Sequence, residues 1–211
     1  MPQLSFRSEE KATQDYYEFK ARGYFDTTVR VDMSRLYERF LPHVPPRGRI
    51  LDAGSGSGRD TLAFLEGGYE VDAFDGSLTL CALSTQLTGV KTRVLRFQDF
   101  ESPPLYDGVW ACASLLHLHT CDLQGAVLGL IGALKPGGAI YISFKHGSGE
   151  RISDDGRFYL DLDEPTLWRL FSEIPQIVLT DVWISKGESP QQEREEWLNA
   201  IALKAADRAQ Q

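Results

Sequence analysis

Short apolar runs bounded by turn residues alternate, from Arg49 to Phe144, with segments whose apolar positions recur every three or four residues. The runs RILDA, YEVDAF, TRVLRF, DGVWAC and AIYISF read as buried strands, because a strand covered on both faces keeps no polar side to alternate with. Between them the helical period predicts one helix from about Arg59 to Glu66 that stops at Gly67 and Gly68, and a second capped by Ser77. A third runs from about Asp122 to Leu134, and the breaker KPGG follows it. This alternation predicts a parallel sheet with helices on both faces.

The pattern differs at both ends. From Ser8 to Arg22 a charged background carries Tyr16, Tyr17, Phe19 and Ala21, which predicts a helix that stops at Gly23. Asp32 is a good N-cap for a helix through LYERFL that ends before Pro42, with Val31 and Leu36 as its hydrophobic staple. After Phe144 a polar loop, KHGSGERISDDGR, leads to a helix begun by DEPTLWRLF. IVLTDVWIS and WLNAIALKA follow with no helix between them, so they predict an antiparallel hairpin that gives the sheet one antiparallel edge strand. No internal repeat interrupts this order.

Composition narrows the class. At about 100 to 200 residues per domain, 211 residues make one domain: a helical N-terminal segment, 1–48, on a core of 49–211. Hydrophobic residues at 42% and charged ones at 25% exclude a disordered or low-complexity chain. A net charge of −8 argues against binding to nucleic acid or to an anionic membrane. The first 49 residues hold nine bases and seven acids, so a local anion site at that end stays open. Cys81, Cys112 and Cys121 are odd in number and form no paired motif, which fits a reducing compartment. The opening MPQLSFRSEEK lacks the apolar run of an export signal and no stretch reaches the ~18 apolar residues of a membrane span, so the expected location is the cytoplasm.

The candidate chemistry lies in ILDAGSGSGRD, Ile50 to Asp60, where a strand runs into glycines and then a helix. Glycines let the backbone turn sharply and approach a ligand, and the helix N-terminus offers unpaired N–H groups, so a nucleotide-like ligand is implied. A dinucleotide loop places its third glycine three residues after the second; counting from Gly54 and Gly56, that place holds Arg59, and Gly58 comes one residue early. No GxxxxGK[ST] lysine is present, so a P-loop is excluded. The pattern DxGxGxG resembles motif I of the class I S-adenosylmethionine-dependent methyltransferases. EVDAFDGS resembles that family's second motif, RFQDF its turn after strand three, YDGVWACASLLHL its fourth-strand motif, and LKPGGAIYISF the turn before strand five. The N-terminal segment and motifs look most like the small bacterial members grouped with tellurite-resistance proteins.

The resemblance implies a Rossmann-like, seven-stranded, mostly parallel sheet that binds S-adenosyl-L-methionine and releases S-adenosyl-L-homocysteine. It assigns the cofactor to the loop residues Ala53, Gly54, Ser55, Gly56 and Gly58. Asp75, followed by Gly76, ends strand two ~20 residues after the first glycine, where one carboxylate can meet two ribose hydroxyls; the alternative for Asp75 is a helix N-cap. Gln98, Asp99 and Phe100 stand where the family meets adenine, and Ala113 follows strand four. Asp52 has two readings, neutralising the cofactor's cationic end or bracing the loop, and Arg59 two more, reaching the cofactor's carboxylate or facing solvent.

Methyl transfer from a sulfonium needs an acceptor held in line in a dry pocket, and a dedicated base is optional. His117 falls where many family members carry a histidine and is the candidate general base; the competing reading is a structural histidine. Cys112, His117, His119 and Cys121 show none of the usual zinc spacings, so no metal site is expected. Tyr24 and Arg157, from the N-terminal segment and from the loop after strand five, are the candidate acceptor-binding residues at the carboxyl ends of the strands. The place where amino-methylating nucleic-acid enzymes carry an Asn/Asp-Pro-Pro-aromatic signature reads Ala113, Ser114, Leu115, Leu116, so the expected acceptor is a small molecule. A nicotinamide-dinucleotide oxidoreductase and a non-catalytic S-adenosylmethionine-binding protein are the alternatives.

Overall fold

In the computed structural model, residues 7–188 and 195–206 are described, so the first six residues of the opening segment lie outside them. Helices α1 (Ser8–Phe19), α2 (Ala21–Thr28) and α3 (Ser34–Phe40) precede the first strand. The alternating region then supplies β1 (Arg49–Ala53), α4 (Arg59–Glu66), β2 (Glu70–Asp75), α5 (Leu78–Thr88), β3 (Thr92–Val94), β4 (Tyr106–Ala111), α6 (Thr120–Ala133) and β5 (Leu134–Lys145). A small hairpin, β6 (Gly149–Ile152) and β7 (Phe158–Asp161), leads to α7 (Glu164–Ser172) and to β8 (Ile177–Lys186) and β9 (Glu196–Lys204).

The seven-stranded sheet has the order β3-β2-β1-β4-β5-β9-β8, parallel except for β9. Period-two alternation divides its apolar residues between two cores. Leu51, Val109 and Ile140 face α6 and α7 on one side, while Ile50, Trp110 and Tyr141 face α3 and Phe64 on the other. Trp110 and Tyr141, paired across β4 and β5, stack with ring centroids 4.0 Å apart.

Several expectations are corrected. The first helix breaks at Lys20, not at Gly23, which sits inside α2. Edge-on packing of Tyr17 against Tyr24 draws α2 across α1, and this contact outweighs the local stop signal. TRVLRF yields only a three-residue strand, because Phe97 turns inward onto Phe74 in a 3-10 turn. α6 starts at Thr120, ahead of Asp122, since Glu150 of the β6–β7 hairpin accepts from the Thr120 N–H and supplies a cap from far along the chain. β5 includes KPGG, absorbed as an irregularity in its pairing with β4 at a Gly137 with φ 81°. The polar loop after β5 contains the β6–β7 hairpin. The antiparallel strand is not the edge: β9 inserts between β5 and β8, which buries Leu198, Ala200 and Ile201 and leaves β8 outermost. Among the described residues, no helix is long and apolar enough to cross a membrane.

Candidate functional site

The loop after β1 is shaped by three left-handed glycines, Gly54 (φ 77°), Gly56 (φ 53°) and Gly58 (φ 79°). Its first N–H groups turn back to the sheet: those of Gly54 and Ser55 both donate to the Phe74 carbonyl, at 2.9 and 3.0 Å. The next does something else. Gly56 N–H donates to Oδ2 of Asp75 at 2.9 Å, while Ser77 N–H donates to Oδ1 at 2.8 Å, so the carboxylate ending β2 is gripped by the glycine loop and the start of α5 together. Burial pushes the Asp75 carboxyl up from its ordinary value, and the N–H donors oppose that shift. The N-cap alternative for Asp75 belongs to Ser77, whose side chain accepts from Leu80 N–H.

Over this loop lies a cavity of about 160 Å³. Gly54, Gly56 and Asp75 form its floor, and Gln98 and Phe97 one side. Thr13 and Tyr17 of α1 cover it. The cover is fastened by Glu18, whose carboxylate accepts from the Ser77 hydroxyl at 2.7 Å, from Thr79 N–H at 3.2 Å and from the Thr79 hydroxyl. Absence of a Cβ matters twice: at Gly54 it would lie 2.4 Å from Cβ of Ser114, and at Gly56 3.2 Å from the Tyr24 ring. The buried Ser55 hydroxyl has no partner among the described residues, an unused polar atom within the loop.

A second cavity, of about 300 Å³, opens on the other side of Tyr24 and Ala113, and those two residues line both. Ala113 has a positive φ of 49°, held by its N–H bond to the Ser143 hydroxyl at 2.8 Å, a conformation that costs a non-glycine residue about 1 kcal/mol. The Tyr24 hydroxyl makes no hydrogen bond among the described residues, and burial pushes its pKa well above the ordinary phenol value, so it stands protonated in this partition. Arg59 and Arg157 line the second cavity, with Val31, Met33 and Leu36 as its apolar side.

The expected site residues thus separate. Gly54, Gly56, Asp75, Gly76, Gln98 and Ala113 line the first cavity. Arg59 lines the second cavity, where Nε and Nη2 pair with Asp60 at 2.7 and 2.8 Å, so it does not face solvent. Asp52 is buried behind the loop and accepts from the Thr61 hydroxyl at 2.6 Å, which makes it a brace between β1 and α4; burial pushes its carboxyl up, and the nearby Asp60 adds to the effect. Ala53 and Ser55 supply backbone to the loop without lining the cavity, and Gly58 packs on Ser84. Asp99 does not line the cavity but pairs with Arg96, which does, and Phe100 stacks on Phe74 in the core. Tyr24 and Arg157 do share a wall.

His117 lies in the first cavity, not in the second. Its Nδ1 is 2.7 Å from the Phe158 carbonyl and its Nε2 2.8 Å from the Tyr17 hydroxyl, so its free lone pair is already used and it is no base toward an acceptor. Burial pulls its pKa down to about 4. Cys112, His119 and Cys121 keep other partners, Ser143, Glu150 and Arg7, and among the described residues no group of three or more His, Cys, Asp or Glu residues could hold a metal. Tyr17, Glu18 and Asp60 were not legible as site residues. Asp60, which also accepts from Tyr37 and Trp110, ends the GRD of the loop; Tyr17 and Glu18 gave no signal beyond a helical face.

Residues 50–138 match the family model of a methyltransferase domain. No curated protein matches the sequence. Among solved structures, the chain is similar to the 1,6-didemethyltoxoflavin-N1-methyltransferase of Burkholderia thailandensis, with bound 1,6-didemethyltoxoflavin and S-adenosylhomocysteine: 21% identity, 96% of this chain and 93% of that one, TM-score 0.75. It is similar as well to the magnesium protoporphyrin IX methyltransferase of Synechocystis PCC 6803 with bound S-adenosylmethionine (13% identity, 96% and 100% covered, TM-score 0.70). A Rhodobacter sphaeroides chain described among Zn-dependent alcohol dehydrogenases aligns at 13% identity, 95% and 100% covered, TM-score 0.73. At such identities likeness speaks for the fold, and the family match speaks for the domain. Residues 50–138 thus resemble a methyltransferase domain, and the chain shares the fold of solved S-adenosylmethionine-dependent methyltransferases.

Proposed function

We propose that this protein transfers the methyl group of S-adenosylmethionine to a small-molecule acceptor and releases S-adenosylhomocysteine. The observation that carries the reading is the pair of cavities that share Tyr24 and Ala113 as a wall. The first has the glycine loop and the Asp75 carboxylate expected of the cofactor's ribose side, and the second adjoins it with an apolar side and two arginines that an acceptor can use. When bound, the cofactor supplies an electrophilic methyl carbon. The residues of the chain do the rest: Asp75 accepts hydroxyl hydrogens, Gln98 borders the far end, Thr13 and Tyr17 exclude water from above, and Tyr24 with Ala113 flanks the place where the two occupants meet. His117 positions Tyr17 rather than moving a proton.

The reading includes a cytoplasmic location, a single domain with residues 1–48 as its helical cover, and no nucleic-acid or membrane partner, on the strength of the −8 charge and the small second cavity. The likeness to the tellurite-resistance group belongs to this reading too and selects no acceptor. Thermal unfolding with S-adenosylmethionine, S-adenosylhomocysteine and NAD⁺ tests it. A ligand at 100 times its Kd stabilises by about 2.7 kcal/mol, or about 5 to 10 °C at this size. A shift with NAD⁺ alone would replace the proposal with an oxidoreductase. Tight binding of S-adenosylmethionine with no demethylated product over a broad panel of small acceptors would make this a binding protein.

A further inference from the structure

We infer that the second cavity takes an acidic small molecule, bound as its oxyanion against Arg59 and Arg157 with its ring on Val31, Met33 and Leu36. This rests on the methyltransferase reading above and adds the substrate class to it.

Arg59 spends Nε and Nη2 on Asp60, which leaves the Nη1 end of its fork without a bond to the chain. Arg157 spends Nε and Nη2 on Asp155 and one Nη1 hydrogen on the Tyr17 hydroxyl, and its guanidinium lies 4.3 Å from the Tyr16 ring centroid. Both arginines line the cavity, but neither Asp60 nor Asp155 does. Each guanidinium therefore keeps hydrogens that its carboxylate partner does not use, on a wall that the partner does not line. That arrangement suits an oxygen-bearing anion and rejects an ammonium. The other charged groups of the wall among the described residues, Lys186 and Glu188, are of opposite sign, and Lys186 is largely exposed and paired with Glu196.

A second observation concerns bases. Among the described residues the wall holds no histidine and no carboxylate except Glu188; beside the cations, its ionisable groups there are tyrosines and Cys112. An acceptor that needed a proton removed at the moment of transfer would find no suitable group at the partition. One that binds as its anion needs none: its proton has gone to water beforehand. The oxyanion's lone pair then forms the new bond to the methyl carbon as the carbon–sulfur bond breaks and sulfur keeps that electron pair. Sulfonium and anion neutralise each other in the step, which a dry pocket favours.

Isothermal titration of the full-length protein tests this with benzoate and 1-naphthoate against their primary amides, with and without saturating S-adenosylhomocysteine. At least one carboxylate is expected to bind tenfold or more tightly than its amide, and Arg157→Gln to reduce that advantage below threefold. Arg157→Lys, which keeps the charge and loses the fork, should retain part of it. Equal binding of acid and amide, no binding of either, or an advantage undiminished in a folded Arg157→Gln would overturn the inference. The product's own titration separates the two readings: heat from S-adenosylhomocysteine with no preference for anions leaves the methyltransferase proposal standing. No heat from it removes that proposal, and the acid-to-amide ratio without it still decides this one.

Discussion

The Tyr17 hydroxyl donates to Nε2 of His117 across 2.8 Å, and Nδ1–H on the other side of the ring donates to the Phe158 carbonyl. A carbonyl can only accept, and this assigns the tautomer. The histidine thereby ties the α1 cover to the start of β7 as a neutral group, and Arg157 extends the chain by donating to the same tyrosine oxygen at 3.0 Å.

A neutral buried histidine makes the fold acid-sensitive. Its folded pKa, about 4, lies below the ordinary 6.5, so the unfolded chain takes the proton first. The stabilising contribution is complete above about pH 6.5 and is lost as the pH falls toward 4. By pH 5 the loss is about 2 kcal/mol, a few degrees in Tm. His117→Asn, whose amide can still donate to Phe158, should show a smaller fall in Tm from pH 7 to pH 5 than the native protein. Equal falls in thermal scans would place the sensitivity in another group.

Asp75 is expected to govern cofactor affinity. Asp75→Ala removes the proposed acceptor for ribose and also frees Gly56 N–H and Ser77 N–H, so the thermal shift produced by S-adenosylhomocysteine should drop from about 5 to 10 °C to near zero. A shift that persists would mean that another carboxylate holds the ligand.

Gly54→Ala should be costly for two separable reasons. Its Cβ would overlap that of Ser114 at 2.4 Å, and its φ of 77° disfavours any side chain by about 1 kcal/mol. Together these should destabilise by about 2 to 3 kcal/mol, read from urea unfolding. Adding Ser114→Gly should restore the steric part and leave the conformational part.

Glu18→Ala should loosen the cover. The carboxylate satisfies the Thr79 N–H at the first turn of α5 and two hydroxyls, so its loss should cost about 1 kcal/mol. It should also weaken S-adenosylhomocysteine binding, because α1 then closes the cavity less often. Calorimetry showing unchanged affinity would mean that α1 holds its place without this contact.

The sequence by itself determined the βαβ core. Local signals agree there: both-face apolar runs for β1, β2, β4 and β5, glycine stops after α4, and the Ser77 cap of α5. The loop is equally legible, since three left-handed positions at alternate residues leave glycine as the residue that fits without strain. What tertiary structure decided is everything supplied by a distant partner. α6 begins early because Glu150 caps it, α1 breaks early because Tyr17 meets Tyr24, and β9 moves inside the edge because its apolar residues need cover on two faces. The same holds in the site. Whether Arg59 faced solvent, and whether His117 had a free lone pair, depended on Asp60 and Tyr17, contacts that no spacing along the chain encodes. A side chain's chemical type is written in the sequence. Its protonation state and the cavity it faces are set by its neighbours in space, because desolvation and hydrogen bonding act through proximity.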